Sequence, residues 1–280
     1  MMKKIIVRLS VITMVFIGSV SKADLDNKHF VIIIPSRNNS EWVDRTLGSV
    51  LSQTVGNWHA IYLNDASTDD TKEKVEQFIR KHNAHDKITL INNETRQGAL
   101  ANIVKAVYLC NNWDVIVTLD GDDWLAGDRV LQKLNDAYAD ENVWMTYGSY
   151  QEFPSGRKGI FAQPIPADVI AANAYRKYGW KVSHLRTFYA WLFKLIKIED
   201  LKIDGEFFMI SGDLAHIFPV IEMTGGRFKY ITDTLYVYNV QTPHNDHKKN
   251  RMLQQKMGSI IKSRPPYQPL KGVPAQYMRH

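Results

Sequence analysis

The sequence predicts an α/β protein: a doubly wound, mostly parallel sheet with a smaller antiparallel portion in its second half. Three observations carry this. Apolar runs at residues 30–35 (FVIIIP), 59–63 (HAIYL), 88–91 (ITLI) and 114–119 (DVIVTL) have the length and β-branched content of buried parallel strands. Each run is followed by a segment with helical spacing, and the connections are short. Polar loops follow the first, second and fourth runs, which places them together on one edge of the sheet, where α/β proteins bind ligands.

Taken in order, residues 1–23 carry Lys3, Lys4 and Arg8, then an apolar stretch at 9–20, then Ser21-Lys22-Ala23. That is the pattern of a signal peptide cut before Asp24, or of a membrane anchor, although the apolar stretch is shorter than the about 20 residues of a spanning helix. The first strand ends in Pro35-Ser36-Arg37-Asn38-Asn39, and a helix follows at 41–52 with Ser40 as its N-cap. The second strand ends in Asn64-Asp65, and Ser67 to Asp70 outlines a capping box before a helix at 70–82. The third strand leads through the 92–98 loop to a helix at 99–110, and the fourth to a helix at 129–139. Beyond it, residues 143–153 alternate and are aromatic-rich, predicting antiparallel strands with a turn at 153–156. Residues 173–187 read as a long loop over the site, 188–198 as a helix, 213–223 as a helix, and 228–231 and 235–240 as two strands. A basic helix follows to about residue 262. The predicted organisation is therefore a leader at 1–23, a main domain at 24–262, and a basic, Pro-rich tail at 263–280, mobile or docking.

Composition narrows the classes. With 280 residues, 45% hydrophobic and 23% charged, the chain is long enough for one large α/β domain or two small ones. A net charge of +6 suits phosphate-bearing ligands or peripheral association with a membrane surface. No stripe of Arg and aromatic residues suggests nucleic acid. The single cysteine, Cys110, excludes an internal disulfide and a Cys-rich metal site, and reads as a small buried residue.

The chemistry concentrates in Leu119-Asp120-Gly121-Asp122-Asp123-Trp124-Leu125, where a buried strand delivers three carboxylates within four residues. Alternating Asp in an extended turn can converge on a hard cation, Mg²⁺ or Mn²⁺, carrying a diphosphate. The same residues could instead form an acidic loop capping the helix that begins near Asp128.

The succession PSRNN, NDASTDD, NETRQG and LDGDDWL, each at its strand end, resembles the family 2 glycosyltransferases with the GT-A fold. The likeness is close over residues 30–130 and loose beyond. It implies a nucleotide-sugar donor, most simply a UDP-sugar, held by Pro35, Arg37, Asp65, Arg96 and Asp120. Asp65 takes the place of a carboxylate that bonds the base. Asn64 replaces a frequent Asp, which bears on nucleotide preference, and Arg37 replaces a stacking Tyr. Asp120 and Asp122 match the Asp-x-Asp pair for ribose and a divalent metal (Mn²⁺ or Mg²⁺), with Gly121 permitting close approach. Ser211-Gly212-Asp213-Leu214 matches the site of the base in inverting members, with Gly212 in place of Glu, which makes Asp213 the catalytic candidate. His244 is the candidate third metal ligand, with His247 nearby. Trp180, His184 and Arg186 are candidates for contact with a glycan, protein or lipid acceptor.

Two other classes compete. A catalytically silent nucleotide-sugar or carbohydrate-binding module would share the donor residues, but DGDD and Asp213 speak for catalysis. A sugar-1-phosphate nucleotidyltransferase would want a Gly-rich phosphate loop after the first strand, which PSRNNSEW does not supply. A used signal peptide would put the protein in a secretory lumen; an uncleaved one would associate it with a membrane.

Overall fold

The computed structural model describes residues 28–242 and 251–278. Residues 1–23, expected to form a leader, and both His244 and His247 lie outside these residues. The first half builds β1 (Phe30–Ser36), α1 (Val43–Leu51), β2 (Trp58–Asp65), α2 (Thr71–Lys81), β3 (Ile88–Asn93), α3 (Ala99–Leu109) and β4 (Val115–Thr118). These four strands are parallel, in the order β3-β2-β1-β4, with Ile33 opposite both Ile61 and Thr118. β1 lies between two strands, and Phe30 to Ile34 are almost wholly buried, so the run is apolar throughout instead of alternating. β3 is an edge strand, and only Ile88 in it is buried, the rest being half-buried or exposed.

The second half supplies β5 (Trp124–Leu125), α4 (Val130–Tyr138), β6 (Met145–Phe153), α5 (Ala167–Ala171), α6 (Tyr175–Tyr178), β7 (Arg186–Tyr189), α7 (Ala190–Phe193), β8 (Lys202–Ile203), β9 (Glu206–Phe207), α8 (Gly212–Thr224), β10 (Phe228–Asn239) and α9 (Arg251–Ser263). Among the described residues, eight strands form one sheet, β3-β2-β1-β4-β7-β6-β10-β5, and β8 pairs only with β9. β7 is antiparallel to β4 and β6, β5 is antiparallel to β10, and β6 and β10 are parallel.

Four expectations change here. Residues 173–187 are not a long loop: α6 lies within them, and Arg186 opens β7, a strand at the centre of the sheet. Four buried residues beginning with Arg give neither alternation nor a long apolar run. Phe188 and Tyr189 belong to that strand, leaving only Ala190–Phe193 of the expected helix. The two strands expected at 228–240 are one, whose register with β6 shifts between Ile231 and Tyr236. Ser40 does not cap α1, whose N-cap is Trp42 without a side-chain bond. The Ser40 N–H instead donates to Asp69.

The residues after α9 lie against the core. Leu270 N–H donates to the Met223 carbonyl, Trp113 Nε1 donates to the Tyr277 carbonyl, and Tyr267 N–H donates to the buried Glu222 carboxylate. Glu222 also pairs with the buried Arg176 of α6, whose Nη1 reaches the Ile261 carbonyl of α9. Cys110 is buried, with its thiol pushed up to about 12 by burial and the nearby Asp114 charge. None of the described helices is long and apolar enough to cross a membrane.

Candidate active site

The loops after β1 and β2 are laced together. Asn38 N–H donates to Ser67 Oγ, Asn39 N–H to Thr71 Oγ1, and Thr68 N–H to Asn38 Oδ1. Asn38 and Ala66 hold left-handed backbone angles, φ 55° and 52°, which turn both loops sharply at the strand ends. Asp65 accepts from Asn93 Nδ2 and the N–H groups of Gln97 and Gly98, all at 2.8–2.9 Å. Burial pushes this carboxyl up, but the Gln97, Asn93 and Gly98 bonds together outweigh it and hold it below its ordinary value. Pro35, Arg37, Asp65, Arg96 and Gly98 line a pocket of about 130 Å³. Arg37 has a buried Nε without a partner there, and Arg96 stands exposed at its rim.

The carboxylate turn is pinned from two sides. Gly121 N–H donates to the Pro35 carbonyl, and a Cβ at Gly121 would stand 2.3 Å from Ser36 Oγ. The glycine is thus required by close approach, but what approaches it is β1. On the other side, Asp123 is buried and accepts from Tyr236 OH (2.6 Å) and from Asn239 N–H (2.7 Å), while the same hydroxyl accepts from Asp120 N–H. Burial, then the Asp122 and Asp120 charges, push the Asp123 carboxyl up. Asp123 therefore fastens the turn to β10; it does not cap α4, whose N-cap is Arg129.

Asp120, Asp122, His184, Arg186 and Asp213 meet in one cleft of about 280 Å³. Its other wall comes from α3 (Leu100, Ile103) and the start of α8. Asp213 sits in the first turn of α8 after Ser211, which takes φ 60°. Its Oδ1 accepts from Leu214 N–H, and its Oδ2 faces Arg186 Nη1 at 3.4 Å. A Cβ at Gly212 would come within 2.9 Å of Leu100 Cβ, so α3 packs where a glutamate at this position would start. Asp120 is pushed up to about 6 by burial, with Asp122 and Asp213 adding to the shift and Arg186 opposing it.

Arg186 and His184 are corrected in placement. Instead of hanging on a loop over the site, Arg186 is a buried strand residue opposite Thr118, two positions before Asp120. His184 is stacked between Tyr236 and Tyr238, and its Nδ1 accepts from Arg186 Nη2 at 3.3 Å. Burial and the Arg186 charge keep its imidazole neutral. Trp180 does not line the cleft: it packs edge-on against Phe218, with the Arg186 guanidinium 6.0 Å from its ring. Trp191 and Phe193 are core residues, as their apolar surroundings in the sequence suggest.

Sequence reasoning missed His216 and Tyr236. His216 stands three residues after Asp213, hence on the same helix face, and lines the cleft. Tyr236 lies in an apolar run that gives no hint of its hydroxyl's partners.

The donor set fits a hard cation in part. Two carboxylates, one raised by burial and further by its anionic neighbours, want a positive charge between them. Among the described residues no three His, Cys, Asp or Glu form a closed cage. Such a pair suits an ion whose remaining positions are filled by phosphate oxygens and water.

The sheet order, the carboxylate turn at the end of β4 and the cleft beside it fit the GT-A fold. Residues 31–202, more than half of the chain, match the model of Glycosyl transferase family 2, and the chain belongs to that family. It is 30% identical over 128 residues to the Escherichia coli UDP-Glc:alpha-D-GlcNAc-diphosphoundecaprenol beta-1,3-glucosyltransferase WfgD, covering 45% of this chain and 47% of that protein. It is 24% identical over 231 residues to Streptococcus pneumoniae GlyA, covering 78% of this chain and 31% of that protein. The chain thus spans about half, or less, of these relatives' length. Among solved structures, S. aureus TarS 1-349 in complex with UDP-GlcNAc shares the fold with TM-score 0.60 and 13% identity, over 83% of this chain and 66% of that one. Glucosyl-3-phosphoglycerate synthase from Mycobacterium tuberculosis, in complex with Mn²⁺, UDP and phosphoglyceric acid, does so with TM-score 0.58 and 12% identity, over 87% and 83%.

Proposed function

We propose that this glycosyltransferase moves a hexose from a nucleotide-sugar, most simply a UDP-sugar, to a hydroxyl of a glycan, protein or lipid acceptor, with inversion at the anomeric carbon. The observation that carries this is the convergence of Asp120, Asp122 and Asp213, from two separate elements, in one cleft next to the Arg37–Asp65 pocket.

The nucleotide lies over the ends of β1 and β2. Arg37 offers a guanidinium to base or phosphate, and Arg96 closes over it from the rim. Asp65 would accept a base N–H alongside the bonds it already takes from Asn93, Gln97 and Gly98. Asp120 and Asp122 would hold Mn²⁺ or Mg²⁺, which when bound neutralises charge on the departing diphosphate. His244 is a proposed further ligand. Asp213 accepts the proton of the acceptor hydroxyl as that oxygen bonds to the anomeric carbon and the bond to the diphosphate oxygen breaks. Arg186 fixes the Asp213 carboxylate for this approach. Support for the donor class comes from relatives and fold neighbours whose names carry UDP-Glc, UDP-GlcNAc, UDP or GDP-Man, two of them with Mn²⁺.

The test is a screen of UDP- and GDP-sugars with Mn²⁺ or Mg²⁺, reading released nucleoside diphosphate and the mass of glycosylated acceptors. Metal-dependent turnover is expected. Nucleotide binding without turnover on any donor would instead leave a silent binding module.

A further inference from the structure

Two residues lining the cleft each carry a buried polar atom without a partner, and the two atoms are complementary. His216 is 1% exposed, and its Nδ1 lies 2.7 Å from the Gly212 carbonyl, which only accepts. Nδ1 therefore carries the proton. Burial, reinforced by the Arg186 charge, holds the ring's pKa down to about 3, so Nε2 is a bare lone pair. That Nε2 is bonded to nothing. Arg186 is 5% exposed; its Nη groups face Asp213 and His184, and its Nε–H is likewise unpartnered. Both side chains line the cleft that holds Asp120, Asp122 and Asp213. An unmet acceptor and an unmet donor, each buried, cost free energy unless something fills them. A hydroxyl can donate to the one and accept from the other. A carboxylate cannot donate to His216, and three acidic side chains oppose it.

We propose that His216 Nε2 and Arg186 Nε–H bind one hydroxyl of the transferred sugar, making His216 a specificity-determining residue that selects a neutral sugar carrying that hydroxyl. This rests on the donor reading given above. The rest of the buried end, Leu100, Ile103 and Phe208, is apolar and can lie against a sugar ring face.

Calorimetric titration of the full chain with Mn²⁺ tests both levels. Bare UDP and GDP come first, then UDP-glucose, UDP-galactose, UDP-GlcNAc and GDP-mannose. If neither nucleotides nor nucleotide-sugars bind, the donor reading fails and this inference falls with it. Where the nucleotide binds, H216F is expected to weaken the best-bound nucleotide-sugar about tenfold while leaving the bare nucleotide unchanged. H216Q, whose amide oxygen can accept the same bond, is expected to restore most of the loss. Equal losses for nucleotide and nucleotide-sugar, or none, would overturn the inference and leave a structural water between the two side chains. The wild type gives an arm that does not depend on a variant folding. Among monodeoxyfluoro analogues of the best donor, whose fluorine cannot donate, one ring position is expected to lose about tenfold in affinity; no sensitive position would overturn the inference.

Discussion

At the scale of single residues, the site is set by close approaches as much as by charge. Ser36 occupies the space a side chain at Gly121 would need, so Gly121→Ala is expected to destabilise the fold by about 1–3 kcal/mol, read as a lower urea midpoint. Asp213→Asn is expected to lower transfer about 10²–10⁴-fold while the calorimetric affinity for UDP stays within about twofold. An Asp213→Asn protein with undiminished transfer would remove this residue from the role of base. Asp65 and Asp69 both have carboxyls held below the ordinary value: burial pushes each up, and hydrogen bonds outweigh it, from Gln97, Asn93 and Gly98 in one case and Thr71 and Ser40 in the other. A depressed native pKa means the ionised form stabilises the fold. Their contribution is therefore complete above about pH 4 and is lost as pH falls through the native values. Asp65→Asn with Asp69→Asn should flatten the decline of Tm below about pH 4; an unchanged decline would place the acid sensitivity elsewhere.

At the scale of elements, β10 decides where the carboxylate turn sits. Tyr236 OH and Asn239 N–H together hold Asp123, and Tyr236 also receives Asp120 N–H. Tyr236→Phe is expected to cost about 1–3 kcal/mol by leaving one buried carboxylate oxygen and one N–H unmet. It should also weaken Mn²⁺ binding, measured by calorimetry, without touching a ligand. β1, β2 and β4 were readable because each apolar run is long enough to be buried on both faces, and β3 because a short apolar run stands between turn residues. β7 was not, because its identity comes from β4 and β6 on either side of it; nothing in Arg186-Thr187-Phe188-Tyr189 alone distinguishes a strand. The same reason hid the true position of Arg186. Asp120, Asp122 and Asp213 were readable because they follow structural punctuation, a strand end and a helix start. His216 and Tyr236 were hidden inside an apolar helix and strand, where only tertiary contact exposes their polar edges.

At the scale of the whole molecule, a buried ion pair joins parts far apart in sequence. Arg176 and Glu222 tie α6 to α8, and through the Ile261 carbonyl and Tyr267 N–H to α9 and the segment after it. Burial pushes the Glu222 carboxyl up, with the Arg176 hydrogen bond and charge opposing it. Glu222→Ala is expected to cost about 3–5 kcal/mol, because it leaves a buried guanidinium uncompensated. The loss should be visible as a lower Tm and as faster proteolysis of the segment after residue 263. α8 also carries Asp213 at its start, so the same variant is expected to lose transfer before it unfolds, separating the two transitions in a temperature series.

The three bonds that Asp65 accepts from the loop after β3 also bear on redesign. A change of nucleobase preference is usually sought at the residue expected to face the base. Here that residue is also the fastening of the adjoining loop, through Asn93, Gln97 and Gly98. Replacing it would alter the architecture together with the selectivity, and a library built on that position would mostly sample unfastened loops. Arg37, with one unmet guanidinium nitrogen, and the exposed Arg96 are the positions at which a new base could be written into this scaffold while the loop stays fastened.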